Sequence, residues 1–134
     1  AADRWQEALR RPEWDRRPAP TTWAPIEYAG HVRDLAALSV GRFDTMQRED
    51  SPVLVNWDHE AAAIQEDYLH QSADRMAGQL AANLRRLAEV FAAIPQADWH
   101  RSGRRSDGAE FTVESYGKFL VHETEHHLHD ASGG

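Results

Sequence analysis

The chain contains no cysteine, which excludes disulfide bonds, thiolate metal ligands and a cysteine nucleophile. Any transition metal must therefore be bound by histidine, aspartate or glutamate. No apolar run approaches the roughly 20 residues of a membrane-spanning helix, and no signal-peptide pattern opens the chain, so we expect a cytoplasmic protein. The net charge of −7 argues against nucleic-acid backbones and anionic membranes as partners. The expected partner is a small-molecule substrate.

Two common catalytic patterns are also missing. The sequence contains no G-x-S-x-G segment, and no glycine-rich loop is followed by Lys-Ser or Lys-Thr.

A chain of 134 residues has the usual size of one domain. We therefore predict a single helical-bundle domain over residues 1–134. It begins with a short helix and an extended linker in residues 1–22 and ends in a flexible tail, residues 131–134.

The pattern that is present is helical, because apolar residues recur every three or four positions and no strand-like alternation is sustained. We predict helices over residues 2–10, 22–47, 59–70, 73–94 and 111–130. Prolines separate the first helix from the second and enforce an extended connection. Suitable N-cap residues precede the last three helices, namely Asp58, Ser72 and Thr112.

The second predicted helix carries a histidine on its core-facing side. Its stripe consists of Tyr28, His31, Leu35, Leu38 and Arg42, at spacings of three, four, three and four. A histidine in such a stripe is either a core residue satisfied by one hydrogen bond or a metal ligand. The ligand interpretation of His31 depends on further ligands elsewhere in the chain.

The fourth predicted helix, residues 73–94, has a plainly apolar stripe on which nothing indicates chemistry. The stripe consists of Met76, Leu80, Leu84, Leu87, Phe91 and Ile94. We expect these side chains to form core, with Met76 as a gap filler rather than a ligand. By contrast, His59 in the first turn of the third helix lies at the mouth of a site or is simply exposed.

A loop over residues 95–110 contains three arginines, Arg101, Arg104 and Arg105. They are either solvated and paired with acids, or they bind an anion, since the planar guanidinium group suits carboxylates and phosphates. Arg104 and Arg105 are therefore candidate cofactor-binding residues. The loop precedes His122 by about ten residues, or roughly 15 Å of helix. Contact with a site at that histidine requires the loop to fold back.

The last predicted helix, residues 111–130, holds four of the eight histidines. His122 and His126 are one helical turn apart, so both imidazoles can reach one cation. Ser115 and Phe119 precede His122 on the same face, and we expect this face to be buried or half-buried. The alternative is a solvated, histidine-rich face without a ligand.

An antiparallel bundle is the economical way to bury such stripes, so the predicted fold class is all-α. It would bring His31 from one long helix to His122 and His126 from another. Three neutral imidazoles leave open positions on a cation, which is the stoichiometry of a catalytic site. Four carboxylates are close enough in sequence to orient the rings as hydrogen-bond acceptors: Glu27, Asp34, Glu123 and Asp130.

Four segments carry a resemblance to a known family: EYAGHVRD, WDHE, GRRSDGAEFTVES and FLVHETEHHLHD. Over nearly all of residues 23–130 the chain resembles the DinB-like (DinB/YfiT-like) metalloenzyme superfamily. It is particularly similar to the N-terminal domains of mycothiol-dependent maleylpyruvate isomerases. The resemblance implies a four-helix bundle in up-down-down-up order, a homodimer, and a divalent metal on three histidines. Transferred by motif, these are His31, His122 and His126; in isomerase-like members a glutamate can take the first place of the last-helix pair.

The resemblance also implies a function class, a transferase or isomerase that uses a low-molecular-weight thiol such as mycothiol or bacillithiol. A cation on neutral ligands, zinc or nickel for preference, would favour the thiolate at neutral pH. Two alternatives stay open. One is a small metallohydrolase with Glu123 as its candidate catalytic base; the other is a dimeric metal-binding bundle without enzymatic activity. Isomerase-type members carry an additional C-terminal domain that supplies substrate contacts, whereas this sequence ends at Gly134.

Overall fold

The computed structural model describes residues 2–133 and is built mainly from helices. These are α1 (Ala2–Ala8), α2 (Pro25–Arg48), α3 (His59–Glu66), α4 (Ala73–Ala92) and α5 (Val113–Ala131). Single 3₁₀ turns cover Tyr68–His70 and Gln96–Asp98. No helix within residues 2–133 is long and apolar enough to cross a membrane. The predicted tail, residues 131–134, includes Gly134, which lies outside the described residues, and Ala131 belongs to α5.

Local capping explains where three of the helices begin. The side chains of Asp58, Ser72 and Thr112 each accept a hydrogen bond from the backbone N–H three residues later. Such bonds satisfy amides that have no partner within the helix. The three predicted N-caps are therefore confirmed.

Helix α2 begins at Pro25, three residues after the predicted start at Thr22. Proline suits the first turn of a helix because its missing N–H would have no intrahelical partner there. The Glu27 carboxylate accepts a hydrogen bond from the Ala24 N–H at 3.0 Å and two from the Arg17 guanidinium at 2.7 Å. The start of α2 is thus held by a buried carboxylate with a charged partner.

A small sheet lies beside the helices, so the chain is mostly helical rather than all-α. Its strands are β1 (Val53–Leu54), β2 (Ser102–Arg105) and β3 (Glu110–Thr112). β2 pairs in parallel with β1 and antiparallel with β3. Strands of two to four residues are too short to show a period of two in the sequence. In addition, β1 and β2 come from distant segments that the sequence pattern indicated only as loops.

The apolar core has two parts, and α2 contributes to both. One part contains Trp5, Ile26 and Val32 with Met76 and Leu80. The other contains Phe43, Met46 and Leu54 with Ile94, Val113, Tyr116 and Leu120. The remaining members of the apolar stripe predicted on α4 pack against these clusters: Leu84 on the first, Leu87 and Phe91 on the second. The prediction that this stripe is plain core is confirmed.

Helices α2 and α5 lie side by side and run antiparallel. The ring of His31 lies next to that of His127, with 4.6 Å between centroids. Further along α2, Arg42 donates a hydrogen bond to the Tyr116 hydroxyl at 3.0 Å, and Ser39 is within 2.9 Å of the same hydroxyl. This pairing aligns a row of polar side chains along the seam between α2 and α5.

Candidate metal centre

Three side chains on this seam form a cluster that could hold a metal ion. One ligand atom from each of His31, Glu123 and His127 can be chosen so that all three lie within 4.8 Å of one another. Nε2 of His127 lies 3.1 Å from Oε2 of Glu123. Two imidazoles and one carboxylate are a donor set that binds zinc and related divalent cations.

Helix geometry explains why these residues meet. Glu123 and His127 are four residues apart on α5, so their side chains lie one above the other on one face. His31 faces them from α2, where it is only 6% exposed. Each helix is fixed by its apolar residues elsewhere, so the positions of the three donors are set by the bundle.

Burial keeps both imidazoles neutral. The pKa of His31 is lowered to about 3, mainly by loss of solvation and also by the neighbouring His127 and His59, against the opposing effect of Asp34. Burial also lowers the pKa of His127, although the adjacent Glu123 carboxylate acts in the opposite direction. A histidine must be neutral to offer a lone pair to a cation. Burial therefore favours the neutral form of both rings, which is the form that a metal site requires.

The hydrogen bonding of the two rings is incomplete. Nδ1 of His31 and Nδ1 of His127 are buried and have no hydrogen-bond partner among the described residues. Buried polar atoms almost always have a partner, and an unpartnered one costs about 1–3 kcal/mol. Two such atoms within one cluster indicate that the protein alone does not complete this site. The residues present therefore fit a bound cation, both in donor type and in what they leave unsatisfied.

Aromatic rings hold the imidazoles in place. Trp57 stacks on His31 with 5.3 Å between ring centroids and an angle of 7° between the planes. Tyr28 stacks on His127 with 5.6 Å between centroids. His59 is exposed on α3, but its ring centroid is only 5.4 Å from that of His31. It was expected either at the mouth of a site or exposed, and it is both.

The cluster opens into a cavity of about 490 Å³. Leu35 and Phe119 line the cavity beside the cluster, and Arg42 and Arg105 also contribute to its wall. A volume of this size accommodates an organic molecule of several rings or a chain of similar bulk. The cluster is therefore accessible to a substrate.

The structure does not bring the predicted pair His122 and His126 to His31. Both histidines are exposed on α5, their rings stack on each other with centroids 6.0 Å apart, and His126 lies 3.5 Å from Asp130. The residues of α5 that approach His31 are instead Glu123 and His127, each one position, or about 100° around the helix, beyond the predicted pair. Both pairs have the spacing of one turn, so spacing alone does not distinguish them.

The register of α5 agrees with the burial of its first half. The buried positions Val113, Tyr116 and Leu120 define the inner face of α5. Continuing by three and then four residues from Leu120 leads to Glu123 and His127. The prediction followed the half-buried Phe119 instead, which moved the face by one residue.

Glu123, predicted as a catalytic base, thus lies within the ligand cluster itself. The three arginines considered as anion-binding residues have different surroundings in the structure. Arg105 lines the cavity, pairs with Asp107 at 2.8 Å and lies over the ring of Phe119, whereas Arg104 is exposed. Arg101 is bound to the Met46 carbonyl at 2.7 Å. The loop does fold back onto α5, because β2 and β3 pair and turn Arg105 towards the helix.

The carboxylates expected to orient the histidine rings are mostly engaged elsewhere. Glu27 is paired with Arg17, and Asp34 with Arg33. Asp34 also accepts a hydrogen bond from the Tyr68 hydroxyl. Of the four, Glu123 has a hydrogen bond to a ring of the cluster.

The fold and the site together define a helical bundle with a partly buried cluster of two histidines and one carboxylate. A sequence model of the DinB superfamily matches residues 2–131, and the chain belongs to that superfamily. A search of curated proteins found no match. Among solved structures the chain is similar to YfiT from Bacillus subtilis, described as a probable metal-dependent hydrolase with an unusual four-helix bundle topology. The two share 16% sequence identity at a TM-score of 0.84, over 98% of this chain and 84% of YfiT, so the likeness establishes the fold.

Proposed function

We propose that the chain is a divalent-metal-dependent hydrolase in which His31, Glu123 and His127 bind the cation. The observation that supports this most is the approach of their three ligand atoms to within 4.8 Å beside a cavity of about 490 Å³. The description of YfiT as a probable metal-dependent hydrolase agrees with this proposal. Zinc or nickel suits the donor set.

Three protein ligands leave at least one coordination position for water or substrate, as in catalytic rather than structural sites. A divalent cation there would supply Lewis acidity to an acyl substrate and to the nucleophile that attacks it. The neutral rings of His31 and His127 would donate lone pairs, and the Glu123 carboxylate would offset part of the positive charge. Trp57 and Tyr28 would keep the two rings oriented through their stacking contacts.

His59 is our candidate for the general base, because Glu123 is occupied as a ligand. Its ring lies beside that of His31 and lines the cavity, so it would be available to accept a proton from a nucleophile there. An imidazole is suited to accepting and returning a proton near neutral pH. Glu60 lines the same part of the cavity and is the alternative base.

A thiol-dependent transferase or isomerase is the second candidate function. The cavity volume favours it, since about 490 Å³ accommodates a bulky thiol such as mycothiol or bacillithiol beside an electrophile. The same cluster would then stabilise a thiolate instead of activating water. A homodimer is part of this proposal only by analogy with the superfamily.

The deciding experiment measures metal content by mass spectrometry after reconstitution. We expect near-stoichiometric metal in the wild type and a loss of at least tenfold in occupancy for His31→Ala, Glu123→Ala and His127→Ala. His122→Ala and His126→Ala are matched controls from the same helix and should retain metal. Retention in His127→Ala with loss in His126→Ala would overturn the proposed ligand set in favour of the histidine pair predicted from the sequence.

Activity then separates the two candidate functions. The metal-loaded protein should hydrolyse 4-nitrophenyl esters without added thiol, and chelation should abolish the rate while added zinc restores it. His59→Ala should lower kcat by about 10²-fold, the usual contribution of a general base. Turnover that requires mycothiol or bacillithiol would instead support the transferase.

A further inference from the structure

The cavity has a second polar end, at Arg42. This residue follows His31 by eleven positions on α2, and its partner Tyr116 precedes His127 by eleven positions on α5. Because the two helices are antiparallel, these pairs mark two levels of one seam, separated by roughly 16 Å of helix axis. Both His31 and Arg42 line the same cavity.

Arg42 is a buried cation whose hydrogen-bond partners are neutral. It is only 6% exposed, and it donates to the Tyr116 hydroxyl at 3.0 Å and to the Val55 carbonyl at 2.6 Å. These two bonds use two of the five N–H groups of a guanidinium. Within residues 2–133, Arg42 takes part in no salt bridge. A charge removed from water without a counter-ion is expensive, so a buried arginine normally has one.

Two other arginines show what the usual arrangement is in this chain. Arg33, which is 9% exposed on the same helix, is paired with Asp34 at 2.9 Å. Arg105 in the cavity wall is paired with Asp107 at 2.8 Å. Arg42 therefore stands out as the cavity-lining arginine that lacks a carboxylate.

Along the seam itself, the cavity-lining side chains between the two polar ends are apolar. Leu35 lies one turn beyond His31 on α2, and Phe119 lies between Tyr116 and Glu123 on α5. Both line the cavity. A ligand that joins the two ends must therefore carry apolar atoms between them.

We propose that the cavity binds an elongated organic acid whose carboxylate pairs with Arg42 while its apolar segment lies against Leu35 and Phe119. The carboxylate supplies the counter-ion that Arg42 lacks and can bond the remaining guanidinium N–H groups in the bidentate geometry that arginine favours. The pairing of the ligand's carboxylate with Arg42 depends only on the seam between α2 and α5. The assignment of the ligand's other end, as the reacting group beside His31, Glu123 and His127, rests on the proposed function.

The first test uses metal-free protein, so that its result does not depend on the metal site. Octanoate and 1-octanol, which share an alkyl chain and differ in charge, are titrated into isotope-labelled protein and followed by NMR. We expect octanoate to bind at least tenfold more tightly than the alcohol, because a hydrogen bond to a charged group contributes that much or more. The Arg42 Nε–H signal should shift with octanoate alone.

Variants test whether Arg42 causes the preference for octanoate over 1-octanol. Arg42→Gln should abolish the tenfold difference, and Arg42→Lys should retain part of it. Arg33→Gln is the matched control, since it removes a similarly buried guanidinium outside the cavity and should leave the preference unchanged. The wild-type titrations stand without any variant, so a folding defect in Arg42→Gln does not remove the test.

Equal binding of the acid and the alcohol to the wild type would overturn the proposal, as would a preference that persists in Arg42→Gln. If the preference holds but the protein binds no metal, the carboxylate site stands and the metal-dependent function fails. If metal binds but the preference is missing, the metal centre stands and the organic-acid proposal fails.

A second arm applies hydroxamates with a terminal carboxylate to the metal-loaded protein. Their affinity should pass through an optimum as the alkyl chain lengthens, and a flat dependence would contradict the two-ended arrangement.

Discussion

Helix α2 has two neighbours of opposite character. Towards α4 it packs mainly on apolar side chains such as Met76 and Leu80, both fully buried, and its one buried charge there, Arg33, is hydrogen-bonded to Gln79. Towards α5 it packs partly on the apolar residues Val113 and Leu120, but it also places His31 beside His127 and Arg42 beside the Tyr116 hydroxyl, with His31 and Arg42 both buried. The α4 side has the composition of a core. Among the described residues, unpartnered buried polar atoms occur on both sides, but Trp5 Nε1 lies within the apolar core whereas Nδ1 of His31 and of His127 belong to residues that line a cavity. The cavity marks where a ligand fits.

The largest effect should come from the α4 side. Leu80→Ala should lower the free energy of unfolding by about 2–5 kcal/mol, because a fully buried leucine loses its contacts and leaves a cavity. Urea denaturation of the metal-free protein, followed by circular dichroism, measures this. Arg86→Ala, at an exposed position on the same helix, should change the free energy by less than about 0.5 kcal/mol. A loss below about 1 kcal/mol for Leu80→Ala would contradict the assignment of this side as the stabilising one.

The two sides also differ in how far the sequence predicts them. On α4 the apolar stripe from Met76 to Ile94 identifies the buried face, because the regularly spaced apolar residues are the ones that pack into the core. On α5 the buried apolar positions are Val113, Tyr116, Leu120, Leu128 and Ala131, and the segment between Leu120 and Leu128 is mainly polar, so hydropathy does not identify its inner residues. The segment HETEHH then contains two pairs with the spacing of one turn, and only the position of α2 decides which pair is used.

The rest of the site depends on contacts between distant segments. Trp57 reaches His31 from the segment that follows β1, and Arg105 reaches Phe119 because β2 pairs with β1 and β3. No local pattern predicts such pairing in strands of two to four residues. His31, by contrast, was predictable as a buried residue, since it lies within a regular helical stripe. The family was predictable from its motifs, whereas which pair of α5 residues faces His31 was not.

Glu27 is a buried charge that, unlike Arg42, has an oppositely charged partner. Glu27→Gln should lower the free energy of unfolding at pH 7 by about 2 kcal/mol, because it removes charge-assisted hydrogen bonds from Arg17. Thermal and urea unfolding measure this. Glu114→Gln, at an exposed position in the first turn of α5, is the control and should change stability by less than about 0.5 kcal/mol.

The stability contributed by Glu27 should depend on pH in one direction. Burial acts to raise the pKa of Glu27, but hydrogen bonds from Arg17 and the Ala24 N–H, with the charge of Arg17, lower it overall below 4.5. The folded state therefore binds fewer protons than the unfolded state near that pH. The contribution is complete above about pH 4.5 and is lost as the pH falls through the folded-state pKa. A difference between wild type and Glu27→Gln that grows on acidification would contradict this assignment.

The smallest change in the free energy of unfolding should come from the α5 side, and it should be an increase rather than a decrease. His31→Leu removes a buried ring whose Nδ1 has no partner and leaves an apolar side chain of similar volume facing Trp57. In the metal-free protein it should raise the free energy of unfolding by about 1 kcal/mol, because an unsatisfied buried polar atom is removed. The same variant should lose metal, whereas His122→Leu, at an exposed position, should keep both metal and stability nearly unchanged. If His31→Leu instead destabilises the metal-free protein by more than about 1 kcal/mol, the imidazole is part of the packing and the two sides of α2 do not differ as argued. A gain in stability joined to a loss of metal would mean that selection has kept a less stable residue at this position for what it binds.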